Sequence, residues 1–182
     1  MIRREPAKSA RDGSQTSERR RPGPPPLQPF GLVLHHDGRW THEGQPIKNR
    51  RIREKFDRSV RYLPEEGKYV VQVGRFRGEI EVEEAGFFVR DLDLAEGDVI
   101  LSDGSRDALD LSSLRTSDRD GAILCTVKCG LLSGGLPARF THAAQAELLG
   151  AVEESTEGPV IRLAGRRQPM PPLRGEASSR DG

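Results

Sequence analysis

A chain of 182 residues usually forms one domain, yet only 34% of this sequence is apolar, which is low for a globular protein. The deficit lies at the two ends, residues 1–29 and 166–182, which are rich in Arg, Pro, Ser and Gly. Segments of that composition cannot offset their ordering entropy by burying side chains. We therefore predict a disordered basic arm over 1–29, a globular domain over 30–165 and a disordered tail over 166–182.

The formal net charge of +1 hides an uneven distribution of charge along the chain. The arm carries +4 and the tail +2, whereas the predicted domain carries −5. A mildly acidic domain argues against nucleic-acid binding. The chain has no apolar run near the ~18 residues of a membrane span and no apolar segment behind its N-terminal charges, so we expect a cytoplasmic protein. Cys125 and Cys129 fit that compartment as free thiols, whose redox role the sequence leaves open.

The first predicted elements are a hairpin and a helix. Short extended runs over 31–34 and 39–41 flank an Asp37-Gly38 turn signal. The spacing of apolar residues then predicts a helix over 48–63, which Pro64 and Gly67 end. Its apolar stripe consists of Ile52, Phe56, Val60 and Leu63.

The rest of the domain is predicted to be mostly strands. Alternating residues indicate strands from 69 to 73 and from 76 to 82, and further strands over 87–89, 97–101, 108–111 and 123–127. A glycine-rich loop over 130–137 precedes a second helix over 142–154 with Thr141 as its N-cap, and a last strand covers 160–163. The order predicts an α+β fold with a mostly antiparallel sheet and two helices. It also suggests two duplicated halves, about 30–92 and 93–165, although their sequence identity is too low to define a repeat.

Three groups of residues resemble motifs of one bacterial family, domain of unknown function 1285. The first group is Asp37-Gly38-Arg39-Trp40 with Gly44-x-Pro46-Ile47, Phe56 and Gly67-Lys68-Tyr69. The second runs from Val82 to Phe87, with Gly86 in place of the family's proline, and the third is Val127-Lys128-x-Gly130-Leu131 followed by Arg139-Phe140. The resemblance covers about residues 32–170. It implies a duplicated α+β architecture whose C-terminal half is like a pleckstrin-homology fold, and a signalling role with a nucleotide-like ligand between the halves.

The residues themselves suggest where an anion could bind. The segment 48–61 holds seven Lys/Arg against Glu54 and Asp57. Guanidinium groups grip phosphates and carboxylates with two hydrogen bonds, but the same charges could also form a solvated face that pairs with acidic strand residues. Arg139 follows a glycine-rich loop and precedes a helix N-terminus, where backbone N–H groups favour anions. The candidate ligand-binding residues are Arg139, Lys128, Arg50, Arg53 and Tyr69.

Catalytic and cofactor signatures are weak in this sequence. The loop 130–137 lacks the Gly-Lys-Ser/Thr ending of a phosphate-binding loop, and the histidines stand at no metal-ligand spacing. We therefore predict no catalytic residue, no metal site, no cofactor and no enzymatic activity. The predicted function is a regulatory or signalling module that binds an anionic, nucleotide-like or phosphorylated small molecule. The alternative is a protein-interaction adaptor that uses its basic arm and its dipolar surface, basic on one helix and acidic on the sheet.

Overall fold

The computed structural model describes residues 27–74 and 76–173, in which two six-stranded sheets with the same topology stand one after the other along the chain. The first sheet has the strand order β3-β2-β1-β6-β5-β4, and β1 pairs with β6 in parallel. Its strands are β1 Gln28–Leu34, β2 Trp40–His42, β3 Gln45–Pro46, β4 Val60–Leu63, β5 Lys68–Val73 and β6 Phe76–Val82.

The second sheet repeats this arrangement. Its order is β9-β8-β7-β12-β11-β10, so that its first and last strands, β7 and β12, again form the central parallel pair. The other neighbours in both sheets are antiparallel. The strands are β7 Phe87–Asp93, β8 Asp98–Leu101, β9 Arg106–Ala108, β10 Arg115–Thr116, β11 Ile123–Val127 and β12 Leu136–Phe140.

A helical element follows the third strand of each sheet. In the first half it is helix α1, Arg50–Ser59, and in the second half a short 3-10 helix, Leu111–Ser113, stands at the same point of the chain order. Helix α2, His142–Gly150, comes after the second sheet and packs on β7 and β12. A three-stranded meander then ends the described chain, formed by β13 Val152–Ser155, β14 Gly158–Leu163 and β15 Arg166–Pro169.

One hydrophobic core extends through both halves. Leu34, Trp40 and Val71 of the first sheet belong to the same cluster as Val89 and Phe140 of the second. Leu148 of α2 and Ile161 of the terminal meander also pack into this cluster and are fully buried. Burial of this apolar surface is the main stabilising term, and the two halves contribute to it together.

The structure confirms the α+β class, the mostly antiparallel pairing, the two helices and the duplicated arrangement. Thr141 caps α2 as predicted, because its hydroxyl accepts the Ala144 N–H. The division between the halves falls at 83–86, between β6 and β7, and not at 92–93 as predicted. Nothing in the structure bears on the pleckstrin-homology-like character of the second half, which stays a prediction.

Several predicted boundaries are wrong. The first helix ends at Ser59 rather than at residue 63, since Val60 to Leu63 pair with β5 as a strand. The second helix ends at Gly150 rather than at 154. The predicted loop 130–137 includes the start of β12, and the predicted arm and tail include the first residues of β1 and the whole of β15. The predicted disorder of residues 1–26 and 174–182 lies outside the described residues.

Candidate functional site

Helix α1 packs on β5 of the first sheet, and three of its arginines, together with Arg90 of β7, line the junction with β7 and β8. The side chain of Asn49 caps the helix by accepting the N–H of Arg51 at 3.0 Å and that of Ile52 at 3.4 Å. Two adjoining clefts of about 240 and 250 Å³ share Glu54, Asp57 and Arg90 in their walls. Together they form a groove, which we call the arginine groove. Its charged lining is Arg50, Arg53, Arg58 and Arg90 with Glu54 and Asp57.

Asp57 connects the elements that build the arginine groove. Its carboxylate accepts the Trp40 indole N–H at 2.8 Å and an Arg90 guanidinium N–H at 2.5 Å. Burial raises the pKa of Asp57, and the bonds from Trp40 and Arg90 act against that rise. The Phe56 ring packs edge-on against the Trp40 ring, with 5.4 Å between the ring centroids. Phe56 and Asp57, which are neighbours in α1, therefore contact the same tryptophan. The groove therefore has a fixed floor that ties α1 to both sheets.

The positive charge of the arginine groove is only partly compensated. Arg50 pairs with Glu54 at 2.7 Å, and Arg90 pairs with Asp57. The Nε of Arg53 is buried and has no hydrogen-bond partner within the described ranges 27–74 and 76–173. A buried donor without a partner costs free energy of about 1–3 kcal/mol, which a bound acceptor would recover.

The start of α1 is electrostatically unfavourable for the helix itself. Three arginines, Arg50, Arg51 and Arg53, lie in its first four positions. The unpaired N–H groups of a helix N-terminus carry partial positive charge, so cations there lower helix stability by about 0.3–1 kcal/mol each. An anion in the groove would relieve this repulsion.

The five predicted site residues do not form one site. Arg50 and Arg53 meet in the arginine groove. Lys128 and Tyr69 both contact Phe87, with the Lys128 Nζ 4.7 Å from the ring centroid and the Tyr69 ring centroid at 6.1 Å. Arg139 lines a different cleft, of about 330 Å³, although its partner Glu84 also lines the cleft beside Tyr69.

Arg139 is fully engaged with carboxylates of its own chain. It is 3% exposed, it donates to Glu84 at 2.5 Å, and it also donates to Asp120. Burial acts to raise the pKa of Asp120, but the bonds from Arg139 and from the Ala122 N–H hold that pKa below its ordinary value. Asp37 joins Asp120 in the wall of this cleft, which disfavours an anionic ligand there.

Lys128 is likewise held by internal contacts, whereas the buried hydroxyl of Tyr69 has ring neighbours but no hydrogen-bond partner within the described residues. The Lys128 Nζ lies 3.0 Å from Asp103 and donates to Ser105 at 2.8 Å. Tyr69 packs edge-on against Tyr62, and burial raises its pKa to about 12. The cleft of about 470 Å³ beside Tyr69 is lined by Lys68, Glu79 and Glu84 among its charged residues, so its local charge is negative.

Glu83 lies in the segment that joins the halves and belongs to the second motif, but the sequence did not indicate its partners. Both oxygens of Glu83 accept from histidines, His35 Nδ1 at 2.8 Å and His36 Nδ1 at 2.9 Å, and the His36 N–H adds a bond at 3.0 Å. Bonds from the His36 ring, the His36 N–H and the His35 ring lower the pKa of Glu83 to about 2. Two of the acidic residues predicted to pair with α1 are thus used elsewhere, since Glu83 binds the histidines and Glu79 binds Lys68 at 2.8 Å.

Comparison with solved structures tests the fold that the motifs imply. A crystal structure described as a DUF1285 family protein from Silicibacter pomeroyi DSS-3 superposes with a TM-score of 0.55 at 17% identity, over 80% of this chain and 82% of that one. The two chains share a fold. A DUF1285 family protein from Shewanella baltica OS155 matches with a TM-score of 0.45 at 16% identity, over 67% of this chain and 91% of that one. No protein-family model and no curated protein matches the sequence.

Two further observations concern the described residues alone. Among residues 27–74 and 76–173, no helix has the length and apolar character needed to cross a membrane. Within the same ranges, no three or more His, Cys, Asp and Glu side chains are grouped so that they could hold a metal ion. Cys125 is buried, which raises its pKa to about 12, and Cys129 is exposed.

Proposed function

We propose that the protein is a non-enzymatic regulatory module that binds a small anionic molecule in the arginine groove. The observation that carries the proposal is the buried, unpartnered Nε of Arg53, which lies beside the positive end of α1 in a groove with four arginines and two carboxylates. Guanidinium forks and helix N-termini both favour phosphate and carboxylate groups. A phosphorylated or nucleotide-like molecule meets both requirements.

The charges of the three clefts support this choice of site. The Arg139 cleft and the Tyr69 cleft each contain two carboxylates, and their cations already bind partners within the chain. The arginine groove has a surplus of positive charge. Its walls come from α1 of the first half and from β7 and β8 of the second, so a ligand would touch both halves. Such a ligand would favour one arrangement of the two halves over others, and a change of that kind suits a regulatory role.

A thermal-shift titration at low salt tests the proposal, with pyrophosphate, ATP and a cyclic dinucleotide as probes. A ligand at about 100 times its dissociation constant stabilises the folded state by about 2.7 kcal/mol, which is visible as a higher melting temperature. We expect at least one probe to raise the melting temperature of the full-length chain. The shift should shrink as salt is added, because screening weakens the attraction.

The matched variants are Arg53→Gln and Arg51→Gln. Each removes one positive charge from the first turn of α1, but only Arg53 lines the arginine groove. We expect Arg53→Gln to abolish the shift and Arg51→Gln to keep most of it. If no probe shifts the melting temperature, or if the two variants behave alike, the arginine groove is not the binding site.

A further inference from the structure

The opposite side of helix α1 borders a second groove, which is apolar. Phe30, Val71 and Val73 of the first sheet face Ile52 and Phe56 of α1 across a cleft of about 520 Å³. Its lining is apolar apart from His42. Ile52 is 43% exposed, although the stripe to which it belongs faces the sheet. We call this cleft the apolar groove.

Basic residues flank the apolar groove along the helix. Arg51 and Lys55 are four positions apart, so they form one row on the surface of α1, next to the row of Ile52 and Phe56. Both basic side chains are exposed. An occupant of the groove therefore meets an apolar floor and a positive rim, which fits an apolar surface edged with carboxylates.

The position of the apolar groove limits how an occupant can bind. The floor is the face of a sheet, whose strands β1 and β5 are already paired on both sides, so it offers no backbone edge to an added strand. Recognition must come from side chains that enter the groove. An amphipathic helix supplies them, because apolar residues at i, i+3, i+4 and i+7 line one of its faces.

The charge of the chain's own arm argues against self-occupancy. Residues 1–29 hold seven Lys/Arg and three Asp/Glu, so the row of Arg51 and Lys55 repels them. We propose that the apolar groove docks an acidic amphipathic helix of a partner protein. This surface is independent of the arginine groove and does not require that the arginine groove bind a ligand.

A fluorescence-anisotropy titration tests the proposal with the full-length chain. The probe is a labelled peptide of about 18 residues, five helical turns, with leucines on one face and glutamates on the others. A peptide with lysines in place of the glutamates controls for charge, and a scrambled acidic peptide controls for amphipathicity. We expect the acidic amphipathic peptide to bind at least about tenfold more tightly than either control.

Two variants and one matched control locate the binding surface. Ile52→Glu should weaken binding of the acidic peptide by about tenfold or more, since it places a charge over the apolar floor. Lys55→Glu should weaken binding of the acidic peptide and strengthen binding of the lysine peptide. Leu149→Glu alters a residue of α2 that is equally exposed, at 45%, and should change the affinity by less than about twofold. Circular dichroism melts of each variant check that the fold is retained.

Several results would overturn the proposal. The acidic peptide fails to bind, the lysine peptide binds as tightly, or Ile52→Glu and Leu149→Glu have the same effect. Binding of decanoate without binding of the peptide would assign the apolar groove to an acyl chain instead. Self-association that Ile52→Glu abolishes in analytical ultracentrifugation would assign it to a second copy of the chain.

Discussion

The buried Arg139 pairs with two carboxylates, the half-buried Glu84 and the exposed Asp120, and its contribution to stability depends on all three groups. Glu84 is 15% exposed and also accepts the Ser117 hydroxyl, so most of its carboxylate stays out of water when Arg139 is removed. Breaking a buried ion pair from one side costs about 3–5 kcal/mol, because the remaining charge is left uncompensated. We expect Arg139→Ala to lower the free energy of unfolding by about 3 kcal/mol, the lower end, since Asp120 is more exposed.

Urea denaturation measures this loss, and Arg50→Ala is its control. Arg50 is 84% exposed and pairs with Glu54 one helical turn away, a contact worth about 0.3–0.5 kcal/mol. The Arg50 variant should therefore stay within about 0.5 kcal/mol of the parent. Equal losses of unfolding free energy in the two variants would show that the stability contributed by the Arg139 ion pairs does not depend on their burial.

The sequence predicted the types of residue in the site better than their partners. It indicated that Arg50 and Arg53 could serve an anion, and the structure places both in one groove. It could not indicate Arg90, which comes from β7 and meets Asp57 across 33 positions of the chain. It also suggested an exposed role for Arg139, because Glu84 and Asp120 are remote in sequence and only the folded sheet brings them to its guanidinium.

At the scale of elements, local patterns predicted most strands but not where helices end. The apolar stripe of α1 continues to Val60 and Leu63, and both positions suit either a helix or a strand. In the folded protein Val60 pairs with Val71 of β5, so this segment forms a strand. Strand β12 was missed because Leu136 and Pro137 were assigned to the glycine-rich loop, and only its pairing with β7 and β11 defines it as a strand. Such nonlocal pairing leaves no periodic signal in a single sequence.

The segment between β6 and β7 provides a prediction about pH at this same scale. Hydrogen bonds from His36 and His35 lower the pKa of Glu83 to about 2, so the unfolded chain binds a proton there more readily than the folded chain does. The stability that ionised Glu83 contributes to the folded state is fully present at pH values above the ordinary glutamate pKa, near 4.5, and is lost as the pH falls toward 2. We expect the melting temperature of the parent to fall through this window more steeply than that of Glu83→Gln.

Thermal melts at intervals from pH 6 down to about pH 2 compare the two proteins. Other carboxylates titrate in the same window in both of them, so the difference between the two curves isolates Glu83. A constant difference across the window would mean that the two histidines do not hold Glu83 in its ionised form.

At the scale of the whole molecule, the shared core predicts that the two halves unfold together. Trp40 is the single tryptophan, it is 1% exposed in the first sheet, and through Asp57 it is linked to Arg90 of the second. Helix α2 packs on β7 in the second half, where Leu148 is fully buried. Truncating a buried leucine costs about 2–5 kcal/mol. If the protein unfolds as one cooperative unit, this loss of stability applies to every element, including the surroundings of Trp40.

We therefore expect Leu148→Ala to lower the urea midpoint of Trp40 fluorescence as much as that of far-ultraviolet circular dichroism. The neighbouring Leu149→Ala, which truncates a residue that is 45% exposed, should leave both midpoints almost unchanged. Coincident transitions by two probes are the signature of two-state unfolding. If Leu148→Ala shifted only the dichroism and left the Trp40 transition in place, the second half would unfold on its own, and a ligand that bridges the arginine groove would then act by coupling two separately stable halves.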